Sequence, residues 1–418
     1  MAAAPQAEQP STAGYAAFTH RDFRYHAGFR FFTGVAMQIQ NVGVGWYLYS
    51  ETKSAWVLGF AGLVAFFPSL VFALFTGHVA DNFNRRIVVS IAFLACSVSA
   101  LLLTVMTAVE ISSIWPVYFC MVLTSAGRSF GNPAANAITP MLVPRAHFAN
   151  AVTWYSSSMQ LATISGPAIG GLLYVFGPVA VFGTAAVCFL LGALSELLIR
   201  TKLRPEGKKR DPVSLESLSA GLRFIWSKSE VFGALTLDLV AVLFGGATAL
   251  LPMVAQDILH VDAFGMGLLR SAPAVGAIGM AVALAYFPLR RKVGKTLLLT
   301  VAAYGLATIA FGLSTSFGLS LAFLAAMGAA NSISVVIRHT MVQIETPDEM
   351  RGRVAAVNSI FTGTSNDLGD FEAGATAALF GVGPAIVLGG VATICCAGLW
   401  GHLFPALRDR DTLLGGKG

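Results

Sequence analysis

The sequence predicts an all-α polytopic membrane protein with twelve transmembrane helices in two six-helix bundles, and three observations lead there. The first is composition: 56% of the 418 residues are hydrophobic and only 11% are charged, where a soluble domain usually has about a quarter of its residues charged. The second is spacing. Apolar runs near the ~20 residues that an α-helix needs to cross hydrocarbon recur from Phe29 to Pro405, and none has the strict alternation of a barrel strand. The third is a long charged stretch, Arg200 to Lys228, that separates six runs from six others.

Glycine, proline and charged breaks bound the runs near 28–50, 56–79, 87–109, 114–138, 151–175 and 178–199, then near 231–254, 264–288, 296–316, 318–342, 354–378 and 384–405. The expected domains are 1–199, a six-helix bundle with a flexible N-terminal tail; 200–230, a linker; and 231–418, a second bundle with a short C-terminal tail. Met1 to Tyr25 is polar and lacks the apolar core of a cleavable signal peptide. Cys96, Cys120, Cys188, Cys395 and Cys396 are odd in number, lie in apolar runs and lack ligand spacing, so neither a disulfide framework nor a metal site is indicated.

Orientation follows from lysine and arginine in short loops. Of the 27 such residues, Arg30, Arg128, Arg270 and Arg338 fall within spans and Lys53 lies between the first and second; the other 22 share the side of both termini and the central loop. That side is expected to be cytoplasmic. The net charge of +6 then needs no nucleic acid, and the basic loop containing Lys202, Arg204, Lys208, Lys209 and Arg210 reads as a topogenic tether.

The halves also resemble each other. Pro144 and Pro347, Gly166 and Gly369, and Gly171 and Gly374 share an offset of 203 residues, while Ala55-Trp56 with Gly59 mirrors Ala263-Phe264 with Gly267. Parallel repeats of this kind place a solute site between the halves near mid-membrane.

The loop after the second span reads Gly77-His78-Val79-Ala80-Asp81-Asn82-Phe83-Asn84-Arg85-Arg86. It resembles the signature loop of the major facilitator superfamily, in which the acidic residue caps a helix end and pairs with basic residues until the halves rock. Gly77, Asp81, Arg85 and Arg86 match that pattern. Asn82 and Asn84 depart from it, standing where the family often has Arg and Gly; asparagine tolerates a left-handed turn, so the turn is expected to survive. In the fifth span, Gly166-Pro167-Ala168-Ile169-Gly170-Gly171 resembles the Gly-Pro-x-x-Gly-Gly element of drug/proton antiporters, which favours export, although Gly166, Pro167, Gly170 and Gly171 also suit ordinary close helix packing. Arg21-Asp22-Phe23-Arg24, Ser219-Ala220-Gly221-Leu222-Arg223-Phe224 and Gln343 to Arg353 extend the resemblance over nearly the whole chain, to bacterial exporters related to the enterobactin exporter. This implies a monomeric, proton-coupled exporter of the plasma (inner) membrane that moves a small amphiphilic solute by alternating access, a siderophore being one candidate cargo.

Ionisable residues within spans cost at least ~2.5 kcal/mol each on insertion scales and are functional candidates by default. They are Arg128 in the fourth span, Asp238 in the seventh, Arg270 in the eighth, Arg338 in the tenth, and Asp367, Asp370 and Glu372 in the eleventh. Depth along the helices puts Asp238 and Arg338 in the same inner third, where they can pair; Arg270 and Asp370/Glu372 share the outer half, and Arg128 and Asp367 lie nearer the midplane. An alternative is that these pairs only lock helices together or snorkel to the interface. The resemblance implies a cavity lined by the first, fourth, seventh and tenth spans, which would turn Gln38, Gln40, Asn41, Trp46, Arg128, Asp238 and Arg338 toward an acidic or catechol-like solute.

Gly294-Lys295-Thr296 imitates the end of a phosphate loop, yet Leu289 stands where its first Gly belongs. The seven histidines form no metal pair at helical spacing, and no Gly-x-Ser-x-Gly elbow occurs. No enzyme and no cofactor are therefore expected. The competing readings are a lipid or lysolipid flippase of the same fold and, from another class, a membrane sensor or enzyme without transport; the sensor would need an output domain that the chain lacks.

Overall fold

The computed structural model describes residues 14–111, 113–201, 215–289, 291–347 and 349–412, apart from the side chains of 73–75, 77, 78, 80, 81 and 215–218. Twelve long helices follow one another, numbered below as the first to twelfth spans. The first half contains Arg21–Thr52, Ala55–Asn82, Arg85–Ala108, Trp115–Ile138, Phe148–Tyr174 and Pro178–Leu197. The second contains Ser229–Phe244 with a continuation to Ile258, then Ala263–Tyr286, Val293–Leu313, Phe317–Glu345, Arg351–Phe380 and Val382–Leu403. The described residues include no strand.

By length and composition alone, eight of these helices suffice to cross a membrane. The first, fourth, fifth and eleventh are too polar, because they carry residues such as Gln38, Gln40 and Asn41, Arg128 and Asn136, Ser156 to Ser158, or Asp367, Asp370 and Glu372. Three of these four turn a face to the cavity described below. Elsewhere large apolar side chains such as Phe67, Ile91, Phe119 and Leu306 stand exposed on the outside, as lipid requires and water would not tolerate over so wide a surface.

The seventh span departs from the uniform helix expected over 231–254. Its regular part ends at Phe244; a 3-10 turn, Gly246–Leu250, and a widened turn, Val254–Ile258, carry it to the far end. Gly246 allows this path, since a Cβ there would lie 2.6 Å from the carbonyl oxygen of Gly369. The hydroxyl of Tyr304 donates to the Gly245 carbonyl (3.1 Å) at the break.

At the end of the molecule that carries the termini, each half is tied across its spans. In the first half, His26 hydrogen-bonds Glu196 (3.1 Å) and Thr139 (3.1 Å), with His26 and Glu196 fully buried. In the second, Arg410 pairs with Glu230 and with Glu345 (2.8 Å). The tail also accepts from the start of the ninth span, where the Lys292 N–H donates to the Asp411 carboxylate at 3.0 Å and the Gly294 N–H to the Arg410 carbonyl at 3.0 Å. Gly294, the phosphate-loop mimic, allows the Leu407 carbonyl to lie against it. The flexible tail expected through Tyr25 is corrected in part. From Gly14 the chain is strapped to the fifth span: the Gly14 carbonyl accepts from Asn150 Nδ2 and Trp154 Nε1, both at 2.8 Å, and the Ala17 N–H donates to Asn150 Oδ1 at 2.9 Å. The linker contributes a helix, Leu215–Ser227, whose Gly221 rests on the Arg353 backbone; residues 202–214, with Lys202, Arg204, Lys208, Lys209 and Arg210, lie outside the described residues.

The two halves meet at the opposite, far end along three seams. Between the second and eleventh spans, a Cβ on Gly374 would sit 2.3 Å from Cα of Gly59. Between the fifth and eighth, one on Gly171 would sit 2.3 Å from the Ala263 carbonyl oxygen, and one on Gly267 2.4 Å from that of Pro167. The third seam joins the first and seventh spans: the Tyr49 hydroxyl donates to Asp257, and Gln256 Nε2 donates to the Ser50 hydroxyl (3.1 Å). The repeat at 203 residues thus has a spatial meaning. Gly166 packs on Gln38 of the first span as Gly369 packs on Val242 of the seventh, and Gly171 and Gly374 each face the opposite half.

Backbone contact this close leaves no room for a side chain, so Gly374→Leu is expected to force the far end open. In a chain lacking its five native cysteines, a thiol placed at Gly45 should then react faster with an impermeant reagent applied from the far side than it does without Gly374→Leu. Equal rates would show that the seam yields without opening.

Candidate functional site

Between the halves, beside the seam of the second and eleventh spans, lies a cavity of ≈ 190 Å³. Helical spacing builds its walls: Met37, Gln40, Asn41 and Val44 form one face of the first span, and Met121, Thr124, Ser125 and Arg128 one face of the fourth. Arg270 enters from the eighth span, and Asp367 and Asp370 from the eleventh. Gln40 is buried and donates from Nε2 to Thr124 (3.1 Å), and among the described residues its Oε1 has no partner. Asp367 feels the charge of Arg128, and Asp370 those of Arg270 and Asp367. Among the described residues, however, no basic nitrogen approaches either carboxylate within 4.0 Å. Two cations and two anions therefore face the cavity without direct ion pairs, so their hydrogen-bonding capacity is available to a solute.

A second chamber, ≈ 140 Å³, lies inside the second half at the break in the seventh span. Asp238, Thr248, Thr300, Tyr304, Asn331, Ser334, Asn366 and Asp370 contribute its polar lining. The expected partners meet here: Arg338 and Asp238 form an ion pair, with side chains only 8% and 12% exposed. This revises the expectation that both face the solute. Asp238 lines the inner chamber, Arg338 stands beside Asp238, and the tenth span contributes no residue to the cavity between the halves.

Gln38 and Trp46 also depart from expectation by turning to the fifth span, Gln38 against Gly166 and Trp46 edge-on to Tyr174 with ring centroids 6.1 Å apart. Glu372 accepts from Thr376 (2.8 Å) and lines neither space. Gly166 and Gly170 seat the fifth span on the first, while Gly171 and the Pro167 carbonyl form the seam to the eighth. In the signature loop, the side chains of Gly77 and Asp81 lie outside the described residues. Arg86 donates to the Ile199 carbonyl, tying this loop to the end of the sixth span, and Arg85 at the start of the third span lies against the Met141 sulfur at 3.2 Å. The turn survives, but not by a left-handed residue: Asn84 has φ −62° and caps the third span, accepting from the Arg86 N–H at 3.2 Å.

The lining of the inner chamber is not among the residues expected from the sequence, apart from Asp238 and Asp370. Its signal is a polar stripe at helical spacing, Asn331, Ser334 and Arg338 on the tenth span, with Asn366 and Asp370 one turn apart on the eleventh. Arg30, an intramembrane cation outside the candidate set, is buried, donates to Asn136 and lies over the Tyr155 ring, 4.7 Å from its centroid.

Two six-helix halves closing at one end over a charged cavity define a transporter of the major facilitator type. The chain belongs to the transmembrane secretion effector family, whose profile matches residues 12–412. It is 28% identical over 353 residues to the enterobactin exporter EntS of Shigella dysenteriae serotype 1 (strain Sd197) and to that of Escherichia coli (strain SMS-3-5 / SECEC), covering 84% of this chain and 83% of each relative. Among solved structures, a bacterial homologue of the human lysosomal transporter Spinster, inward-facing and unoccupied, superposes with a TM-score of 0.74 at 15% identity, over 96% of this chain and 98% of that one. A POT family transporter in complex with 5-aminolevulinic acid also reaches 0.74, at 12% identity over 93% and 97%. The protein is a multi-pass secondary transporter that exports a small solute, and its relatives are transporters rather than enzymes.

Removing one member of a buried ion pair strands the other. Asp238→Asn is therefore expected to destabilise the purified protein by about 3 kcal/mol, read as a lowered thermal midpoint in detergent, and Asp238→Asn with Arg338→Met to recover most of the loss. A double variant no more stable than the single one would show that the pair is not a coupled unit.

Proposed function

We propose that the protein exports an amphiphile bearing acidic or catechol groups, of siderophore type, in exchange for protons. The observation that carries this reading is the cavity between the halves, where Arg128 and Arg270 stand near Asp367 and Asp370 with none of the four in direct ion contact. Arginine stays charged at physiological pH and can hold a planar oxyanion by two hydrogen bonds, while the carboxylates can accept from hydroxyl groups or take protons. The cargo named for the EntS relatives supports the siderophore assignment. Alternating access follows if the far-end seams open as the terminal end closes, with the loop of Gly77, Asp81, Arg85 and Arg86 biasing that equilibrium. The protein acts as a monomer, with both termini and the central loop in the cytoplasm.

Two measurements test this. Reconstituted protein is expected to show counterflow of enterobactin, and Asp238→Asn to retain counterflow while losing accumulation driven by an imposed pH difference. Accumulation that persists in the variant would remove Asp238 from the coupling path. For topology, a cysteine at Thr52 in a cysteine-free chain should react with an impermeant thiol reagent applied to intact cells, and one at Lys208 should not; the opposite pattern overturns the orientation.

A further inference from the structure

Among the described residues, Asp370 is the one that lines both spaces, the cavity between the halves and the chamber inside the second half. It also stands at the seam. The missing Cβ of Gly62 in the second span would lie 2.9 Å from Cβ of Asp370, so the opposite half rests directly on this residue. The chamber leads from Asp370 past Asn366, Asn331 and Ser334 to Asp238, which lies nearer the end that carries the termini. Its wall includes the last turn of Ser229–Phe244, a helix C-terminus whose dipole favours positive charge, and its ≈ 140 Å³ has room for several waters.

The geometry points to Asp370 as the carboxylate at which the coupling proton and the cargo replace each other, with the inner chamber as a water-filled branch joining it to Asp238. This rests on the reading of the protein as a proton-coupled exporter. The charged and titratable groups around Asp370 are Arg270 from the eighth span, Asp367 on its own helix with Arg128 beyond it, and, across the chamber, Tyr304 and the pair Asp238–Arg338; the second span lines this cavity with Leu58, Ala61, Gly62 and Ala65. Asp238 is engaged by direct contact with Arg338, whereas Arg270 acts on Asp370 from beyond ion-pair distance. Of the two carboxylates, Asp370 is the freer to change partners.

The exchange is simple in atoms. The protonated Asp370 gives its proton to a chamber water, which carries it as hydronium toward Asp238 and the terminal side; the carboxylate left behind accepts a hydrogen bond from a cargo hydroxyl or ammonium. Because proton and cargo compete for one oxygen, the coupling has the sign of antiport. A cargo anion held by Arg270 alone would bind best when Asp370 is protonated and would travel with the proton. The site therefore selects a cargo that presents a hydrogen-bond donor to Asp370.

The test begins without cargo. Full-length protein in liposomes is treated with dicyclohexylcarbodiimide, which consumes protonated carboxyl groups, and is read by peptide mass spectrometry across pH. Modification of Asp370 that declines as pH rises, is unaffected by replacing choline with sodium, and is suppressed by enterobactin is expected. Absence of modification at every pH overturns the proposal whether or not enterobactin is a cargo, and protection by sodium assigns the site to that ion instead. Ser334→Leu and Asn331→Leu fill the chamber from two positions and should lose pH-driven accumulation while keeping counterflow, which also shows that they fold. Full accumulation in both would mean that the proton reaches Asp370 by another way.

Discussion

The constraint on which the rest depends is backbone contact at glycine. In lipid the hydrophobic effect does not press helices together; close packing and hydrogen bonds must do so, and small residues allow both. Gly59 against Gly374, and Gly171 and Gly267 against the eighth and fifth spans, bring the halves together at one end with no intervening side chain. With the far end closed this tightly, the polar faces of the first, fourth and eleventh spans are left facing one another as a cavity. The same contacts are short and few in type, so one rigid-body rotation can break them together.

Charge is placed according to whether it has to move. The ties at the terminal end, the hydrogen bond of His26 with Glu196 and the ion pairs of Arg410 with Glu230 and Glu345, are direct contacts within one half. They preserve each bundle as a unit while the halves move. Between the halves, Arg128, Arg270, Asp367 and Asp370 interact only at longer range. Charges held out of contact in a low dielectric respond strongly to any ligand that bridges them, which suits a site that must bind and release. Asp238–Arg338 lies between these extremes: paired like a structural tie, yet lining a chamber that reaches Asp370.

The helices and their order were legible in the chain because lipid imposes a length and a polarity on each span independently of its neighbours. Every expected run has a helix over it, and the repeat at 203 residues reappears as paired glycine contacts. Depth was legible for the same reason, since helical rise converts residue number into height; hence Asp238 and Arg338 were placed together, as were Arg128 with Asp367 and Arg270 with Asp370. Rotation about each helix axis was not legible. Gln38 and Trp46 lie within a few residues of Gln40 and Asn41 but turn toward the fifth span, and a single chain records which residues are polar without recording which neighbour each face meets.

The sequence by itself determined a membrane protein of six plus six spans, the side its basic residues mark, and the inventory of costly intramembrane charges, because these follow from composition and local period. Only the tertiary structure decided that the seventh span breaks at Gly245, that Asp238 belongs to a chamber within one half, and that Asp370 stands on the wall between two spaces. Each of these depends on how faces of different helices come together. That is a property of packing across spans, set by glycine contacts between segments far apart in the chain, such as Gly59 with Gly374 and Gly171 with Ala263.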